Sequence, residues 1–185
     1  VNFGKILKKI HFIDLKDKKD DWYKLVTTKL NYLLYRHGLN DYKDDNDYIL
    51  IDYLNQNLYI CKNTSNNLLF SSLDYKNIRV YDGGKLDIRG LKKISTGDGT
   101  SDFIKVNKIA LDYPEFARGV MKGYHQDKTI SRKFYRLLAF YQAYAILKSL
   151  VDMREKKDAY LSEDEIEKIM QMYDDFSSTK PNWLD

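Results

Sequence analysis

The stretch Leu68–Phe103, LLFSSLDYKNIRVYDGGKLDIRGLKKISTGDGTSDF, decides how the rest of the chain is read. Ile78, Val80 and Tyr81 precede Asp82-Gly83-Gly84, and Leu86, Ile88 and Leu91 follow. Alternating apolar residues on either side of such a turn predict a two-strand hairpin. Nearly everything around it carries helical spacing. A lone hairpin is only marginally stable, so helices must cover it. The fold class expected is mainly α with a small β-hairpin (α+β), in one domain spanning the 185 residues.

Working outward upstream, Phe3 to Ile13 reads as a helix with Phe3, Ile6, Leu7 and Ile10 on one face. A charged connection follows, and Asp20 or Asp21 caps a second helix carrying Leu25, Val26, Leu30, Leu33 and Leu34. Gly38 is the expected stop, and His37 in the last turn suits the negative end of the helix dipole. Asn40–Asp47 (NDYKDDND) reads as a solvated acidic connection. Its alternating acids resemble a calcium loop, but the required glycine and terminal glutamate are missing. Tyr48–Lys62 is a further helix. Cys61, the single cysteine, sits beside Leu58, Tyr59 and Ile60 as a buried structural thiol, and a lone cysteine excludes an internal disulfide and a multi-cysteine zinc site.

Downstream, Thr96–Ser101 (TGDGTS) suggests a Gly-rich phosphate loop, but it lacks the lysine of such loops and no apolar strand leads directly into it. Asp102–Leu111 reads as a helix, Pro114 opens another, and Gly123 is its expected end. Thr129 or Ser131 caps a long helix to about Met153. Between Leu137 and Leu147 that helix is apolar nearly all round, which marks it as buried on most sides. Ser162 and Glu165 form a capping-box pattern before a last helix, and Trp183 tucks back in the tail.

Composition narrows the function classes. The net charge is +4 with 31% charged residues of both signs, so the lysines carry no nucleic-acid signal. The 16 tyrosines fall beside leucines at helical spacings, as packing residues do. No run reaches membrane-span length and no signal peptide is visible, so neither a membrane nor a nucleic-acid partner is expected and a cytoplasmic setting fits.

The central stretch also resembles the catalytic centre of the aminoglycoside phosphotransferase and choline kinase group, relatives of protein kinases. That group carries H-x-D-x-x-x-x-N, a hairpin, I-D-F and then G-D-P-x-x-D-L/F. Phe70-Ser71-Ser72-Leu73-Asp74-Tyr75-Lys76-Asn77 lies on the first motif, Arg89-Gly90-Leu91 on I-D-F, and Gly97-Asp98-Gly99-Thr100-Ser101-Asp102-Phe103 on the last. Upstream, Leu7-Lys8-Lys9-Ile10-His11 resembles the small helix with a Leu-His ending that opens the family's larger lobe. Downstream, Pro114-Glu115-Phe116-Ala117 and Gly123-Tyr124 resemble its next helix and Gly-Tyr ending. The resemblance implies a kinase-like C-terminal lobe without the N-terminal β lobe, since neither a Gly-rich strand loop nor a strand lysine is present. Either the small lobe was removed from a longer chain or the protein never had one.

On this alignment the family's catalytic Asp falls on Ser72 and its metal-binding Asp on Gly90, while its His falls on Phe70. Serine is no base near neutral pH and glycine offers no ligand, so Asn77 alone remains for a metal. Losing the base alone costs about 10²–10⁴ in rate. Asp74 is a candidate substitute base. Asp87 is three residues before Gly90, an odd offset that puts it on the opposite strand face. The resemblance gives Asp98 and Asp102 the role of bracing the catalytic loop through backbone hydrogen bonds.

Two readings follow, with a third behind them. The first is a pseudokinase-like binding or regulatory module with no cofactor and no metal, meeting a protein partner or a second copy over a lobe face around Phe70, Tyr75 and Leu91. The second is a fragment or divergent ATP-dependent small-molecule phosphotransferase, using Mg-ATP with Asp74 as base and Asn77 and Asp98 on the metal. The third, a purely helical adaptor, would lack strands between Ile78 and Leu91.

Overall fold

The computed structural model describes residues 1–13, 21–70, 78–88, 95–126 and 128–185. In chain order the elements are α1 (Asn2–His11), α2 (Trp22–Gly38), α3 (Asp45–Asn57), β1 (Asn67–Leu69), β2 (Ile78–Val80), β3 (Leu86–Ile88), β4 (Ser95–Gly97), α4 (Ile104–Ala110), α5 (Pro114–His125), α6 (Arg132–Arg154) and α7 (Glu163–Met172). They fall into two compact units. Unit 1 is Val1–Asp20 with Ser65–Ser131, and unit 2 is Asp21–Thr64 with Arg132–Asp185. Among the described residues no helix is long and apolar enough to cross a membrane.

Unit 1 is built on α1 against α5. Their backbones approach so closely that a Cβ on Gly4 would stand 2.0 Å from the Val120 carbonyl oxygen, and one on Gly123 would stand 1.9 Å from that of Val1. Gly123 is therefore not the helix stop expected from its position. The helix continues to His125 and closes on Gln126 in the left-handed region (φ 56°), while Gly123 makes room for the chain beside it.

The predicted hairpin is present: β2 pairs antiparallel with β3, Ile78 opposite Ile88 and Val80 opposite Leu86. Gly83 supplies the positive φ (76°) in the turn, and the Tyr81 amide donates to the Lys85 carbonyl across it at 2.9 Å. These strands are the feature a purely helical adaptor would lack. A second ladder, β1 with β4, was not legible beforehand. It places Asn67 opposite Gly97 and makes a strand of the start of the supposed Gly-rich loop. Its strands are as short as those of the hairpin, but no tight-turn motif joins them, so nothing local marks the pair. The chain then enters a 3-10 turn, Gly99–Phe103, before α4 begins at Ile104, two residues later than the sequence suggests.

Unit 2 is organised around α6, whose Leu137–Ala143 stretch is buried throughout, with Leu138, Ala139, Phe140, Ala143, Ile146 and Leu147 fully enclosed. An α-helix apolar on all sides needs neighbours on all sides. Leu30 and Leu33 of α2, Leu50 and Leu54 of α3, and Ile169 of α7 join the core of the same unit. Asp21 caps α2 by accepting the Lys24 amide at 3.0 Å, and Ser162 with Glu165 forms the expected capping box on α7. Cys61 and Trp183 are buried.

The acidic run before α3 is not merely a solvated connection. Asp44 and Asp47 form the capping box of α3, and Asp47 is fully enclosed. Arg154 forks onto its two oxygens at 2.5 and 3.0 Å, and His37 Nε2 lies 2.9 Å from Oδ2. His37 thus does more than face the end of α2. Burial alone would push the Asp47 carboxyl up, but the Arg154 and His37 hydrogen bonds outweigh it and hold the carboxyl below its ordinary range.

Candidate functional site

Ser72, Asp74, Asn77 and Gly90, with Tyr75 and Leu91, lie outside the described residues. What the structure does place is the main chain that leads into residues 71–77, together with the groups that hold it, all in unit 1.

Phe70 follows β1 directly. Its amide donates to Asp102 Oδ2 at 2.5 Å, and its carbonyl accepts from Lys105 Nζ at 3.1 Å. One residue is therefore gripped from both sides of its backbone by side chains one helical turn apart on the 3-10 turn and α4. Asp102 is buried, as is the Phe70 ring, which stands edge-on to Phe3 with centroids 6.3 Å apart. Phe70 therefore belongs to the core of unit 1. It contributes nothing to the exposed apolar lobe face expected around it.

Asp102 is held in turn. His11 Nε2 lies 3.1 Å from the oxygen that takes the Phe70 amide, and His11 Nδ1 lies 2.8 Å from the Tyr124 hydroxyl. With the Nε2 proton on the carboxylate side, Nδ1 accepts from tyrosine and both ring nitrogens are satisfied. The His11 carbonyl accepts from Asn67 Nδ2 at 2.8 Å, and Asn67 Oδ1 accepts the Gly99 amide at 3.2 Å. Gly99 must be glycine here, because a Cβ would sit 2.5 Å from His11 Nδ1. Phe103 closes the cluster, edge-on to Tyr124 at 4.8 Å.

The electrostatics follow from enclosure. Burial pushes the Tyr124 phenol well up, reinforced by the charges of Asp98 and Asp102. Burial pulls the Lys105 ammonium down against the opposing pull of Asp102, whose Oδ1 is 3.6 Å away. Asp98 is also buried, and its Oδ1 accepts the Thr100 amide at 2.9 Å as the cap of the 3-10 turn. The network as a whole fixes backbone positions, and its ionisable groups face one another or main-chain amides. Asp87 sits on β3 across from Arg79. Among the described residues no group of three His, Cys, Asp or Glu side chains is placed to hold a metal ion.

His11, Asn67, Lys105 and Tyr124 were not singled out as site residues from sequence. The signal available was slight: the helix endings at Ile10-His11 and Gly123-Tyr124 lie on motif positions, but a local pattern does not say that they meet.

No family model matches the chain, and no curated protein matches it in sequence. Among solved structures it is similar to the amicoumacin kinase hAmiN in complex with AMP-PNP, Ca2+ and Ami, with a TM-score of 0.54 and 17% identity, covering 97% of this chain and 58% of that one. The spectinomycin phosphotransferase APH(9)-Ia, in complex with ADP and spectinomycin, aligns at a TM-score of 0.46 and 13% identity, covering 97% of this chain and 61% of that one. At such identity the hAmiN likeness shows the fold alone. The chain has a kinase-like phosphotransferase fold, mainly α with a small hairpin, and spans less than two thirds of the length of either chain.

Proposed function

We propose that this chain is a catalytically impaired, phosphotransferase-like lobe that works as a binding or regulatory module. One observation carries the reading. The chain has a kinase-like fold, and the sequence resemblance puts Ser72 at the motif position of the base and Gly90 at that of the metal carboxylate. Phosphoryl transfer depends on an oriented acceptor hydroxyl and on metal held against the phosphates, and the two substitutions remove both. The brace on Phe70 supports the same reading: Asp102, backed by His11, and Lys105 hold the backbone at the loop entry although Ser72 and Gly90 stand where the family's acids would. A held loop entry in a chain whose motif positions lack the base and the metal carboxylate suits recognition, by a protein partner or a second copy of the chain.

The test is a thermal-shift titration of the whole chain with Mg-ATP, paired with an ATP-turnover assay. A ligand at about 100 times its Kd stabilises by about 2.7 kcal/mol. The expected result is neither shift nor turnover. A shift together with turnover that Asp74→Asn abolishes overturns the proposal.

That outcome would establish the second reading, a partial or divergent ATP-dependent phosphotransferase with Asp74 as base and Asn77 and Asp98 on the metal. Its support is that the hAmiN kinase is longer than this chain, which covers 58% of it. Against it, one Asp98 oxygen already accepts the Thr100 amide.

A further inference from the structure

Unit 2 contains a cleft that the phosphotransferase reading does not use. Acidic side chains outnumber basic ones across this unit. Yet a cleft of about 510 Å³ is lined by Lys62, Arg132, Lys133 and Arg136 with Tyr59 and Asn63, and no carboxylate lines it. Four cations gathered in an otherwise acidic unit repel one another unless something negative joins them.

Their partners are neutral. Arg136 donates to Asn57 Oδ1 at 3.3 Å and to the Tyr59 hydroxyl, and its guanidinium lies 5.4 Å from the Tyr59 ring. Lys133 Nζ donates to the Asn63 carbonyl at 3.3 Å, and Lys62 Nζ sits 5.1 Å above the Tyr23 ring. Among the described residues no carboxylate pairs with any of the four. The neutral contacts orient the charges, and no carboxylate among the described residues compensates them. The 23-residue helix α6 starts at Arg132, so the cleft lies at its positive N-terminal end.

We propose that this cleft binds a soluble phosphate-bearing ligand of several negative charges, of the size of a di- or triphosphate. Two forked guanidiniums match phosphate oxygens in pairs, and two ammoniums add point charge without geometric demand. A single-stranded nucleic acid would also want free aromatic faces for its bases. Here Arg136 already lies against the Tyr59 ring and Lys62 against that of Tyr23.

The probe is tripolyphosphate without magnesium, titrated calorimetrically into the whole chain, with inorganic phosphate, phosphatidylserine vesicles and an oligothymidylate as comparison arms. Leaving out magnesium and reading location by mutation keeps the result independent of nucleotide binding or turnover. Tripolyphosphate should bind more tightly than inorganic phosphate and more weakly as salt rises. Arg132→Ala with Lys133→Ala, both exposed, should weaken it about tenfold or more. Lys24→Ala with Lys29→Ala removes the same net charge from exposed sites elsewhere in unit 2 and should change it less than about twofold. The proposal is overturned by absent tripolyphosphate binding, by equal weakening in both double variants, or by tighter binding to vesicles or oligonucleotide than to tripolyphosphate.

Discussion

In unit 2 the buried carboxylates Asp47 and Asp152 are each gripped by a guanidinium, whereas in unit 1 Asp98 and Asp102 hold main-chain amides, Asp102 with His11 and Lys105 beside it. Asp47 takes the Arg154 fork and His37, and Asp152 takes Arg36 at 2.6 Å and Lys148. Asp102 and Asp98 take the amides of Phe70 and Thr100. A cation–carboxylate pair ties helix to helix and serves stability. A carboxylate on a main-chain amide fixes the path of the chain, as Asp102 does at Phe70 and Asp98 at Thr100. The buried histidines sharpen the contrast. His37 completes a charge cluster, while His11 relays between Asp102 and the Tyr124 hydroxyl and so aims the oxygen that holds Phe70.

The largest effect should come from breaking the unit 2 cluster. Asp47→Ala leaves Arg154 and His37 facing an enclosed void, and removing one member of a buried ion pair costs about 3–5 kcal/mol. Denaturant unfolding followed by far-ultraviolet circular dichroism measures it. A loss below about 1 kcal/mol would mean that Arg154 finds another partner and that the cluster is not the tie described. Next in size is Gly4→Ala in unit 1. The added Cβ meets backbone, the Val120 oxygen at 2.0 Å, so no side chain can rotate aside and α1 must move off α5. Overpacking of this kind costs about 1–3 kcal/mol, read as a lowered unfolding midpoint.

The contrast between the units also marks how far the sequence could be read. The helices and the hairpin were legible because apolar spacing and Asp82-Gly83-Gly84 are local signals. The β1–β4 ladder was not, since Asn67–Leu69 and Ser95–Gly97 are distant in sequence and no turn motif joins them. Asp47 looked solvated because its neighbours are polar, and its partner Arg154 lies 107 residues on. His11 and Asp102 are 91 residues apart, and nothing in either segment announces the other. Asp98 and Asp102 could be placed in a motif by resemblance, but the Phe70 grip needs coordinates. Ser72 and Gly90, on which the functional reading rests, lie outside the described residues and are known from the sequence.

Asp102→Asn tests the unit 1 half of the comparison with a smaller and more local effect. An amide oxygen can still accept from Phe70, but the new NH2 must face His11 or Lys105, both donors in the present arrangement. The expected cost is about 1–2 kcal/mol. The diagnostic is amide hydrogen exchange: protection should fall at Phe70 and stay unchanged in α6. Equal loss in both places would show that Asp102 acts as general cement, as Asp47 does, and the distinction between the units would fail.

The smallest effect separates the units by pH. Burial, aided by Lys8, pulls the His125 imidazole of unit 1 down to about 4. The unfolded chain takes up that proton near pH 6.5, so folding loses stability as pH falls from about 6.5 to about 4. For a half-buried ring the slope should stay well under the one-proton limit of about 1.4 kcal/mol per pH unit. Asp47 of unit 2 is depressed in the folded state, so its contribution is complete above an unfolded carboxylate value of about 3.9 and is lost only below it. Unfolding free energies at pH 4.5, 5.5 and 6.5 should therefore slope in the wild type and flatten in His125→Asn. Asp47→Asn should lower all three values together and leave the slope between them in place. A slope that survives His125→Asn would move the acid sensitivity elsewhere and remove the pH distinction between the units.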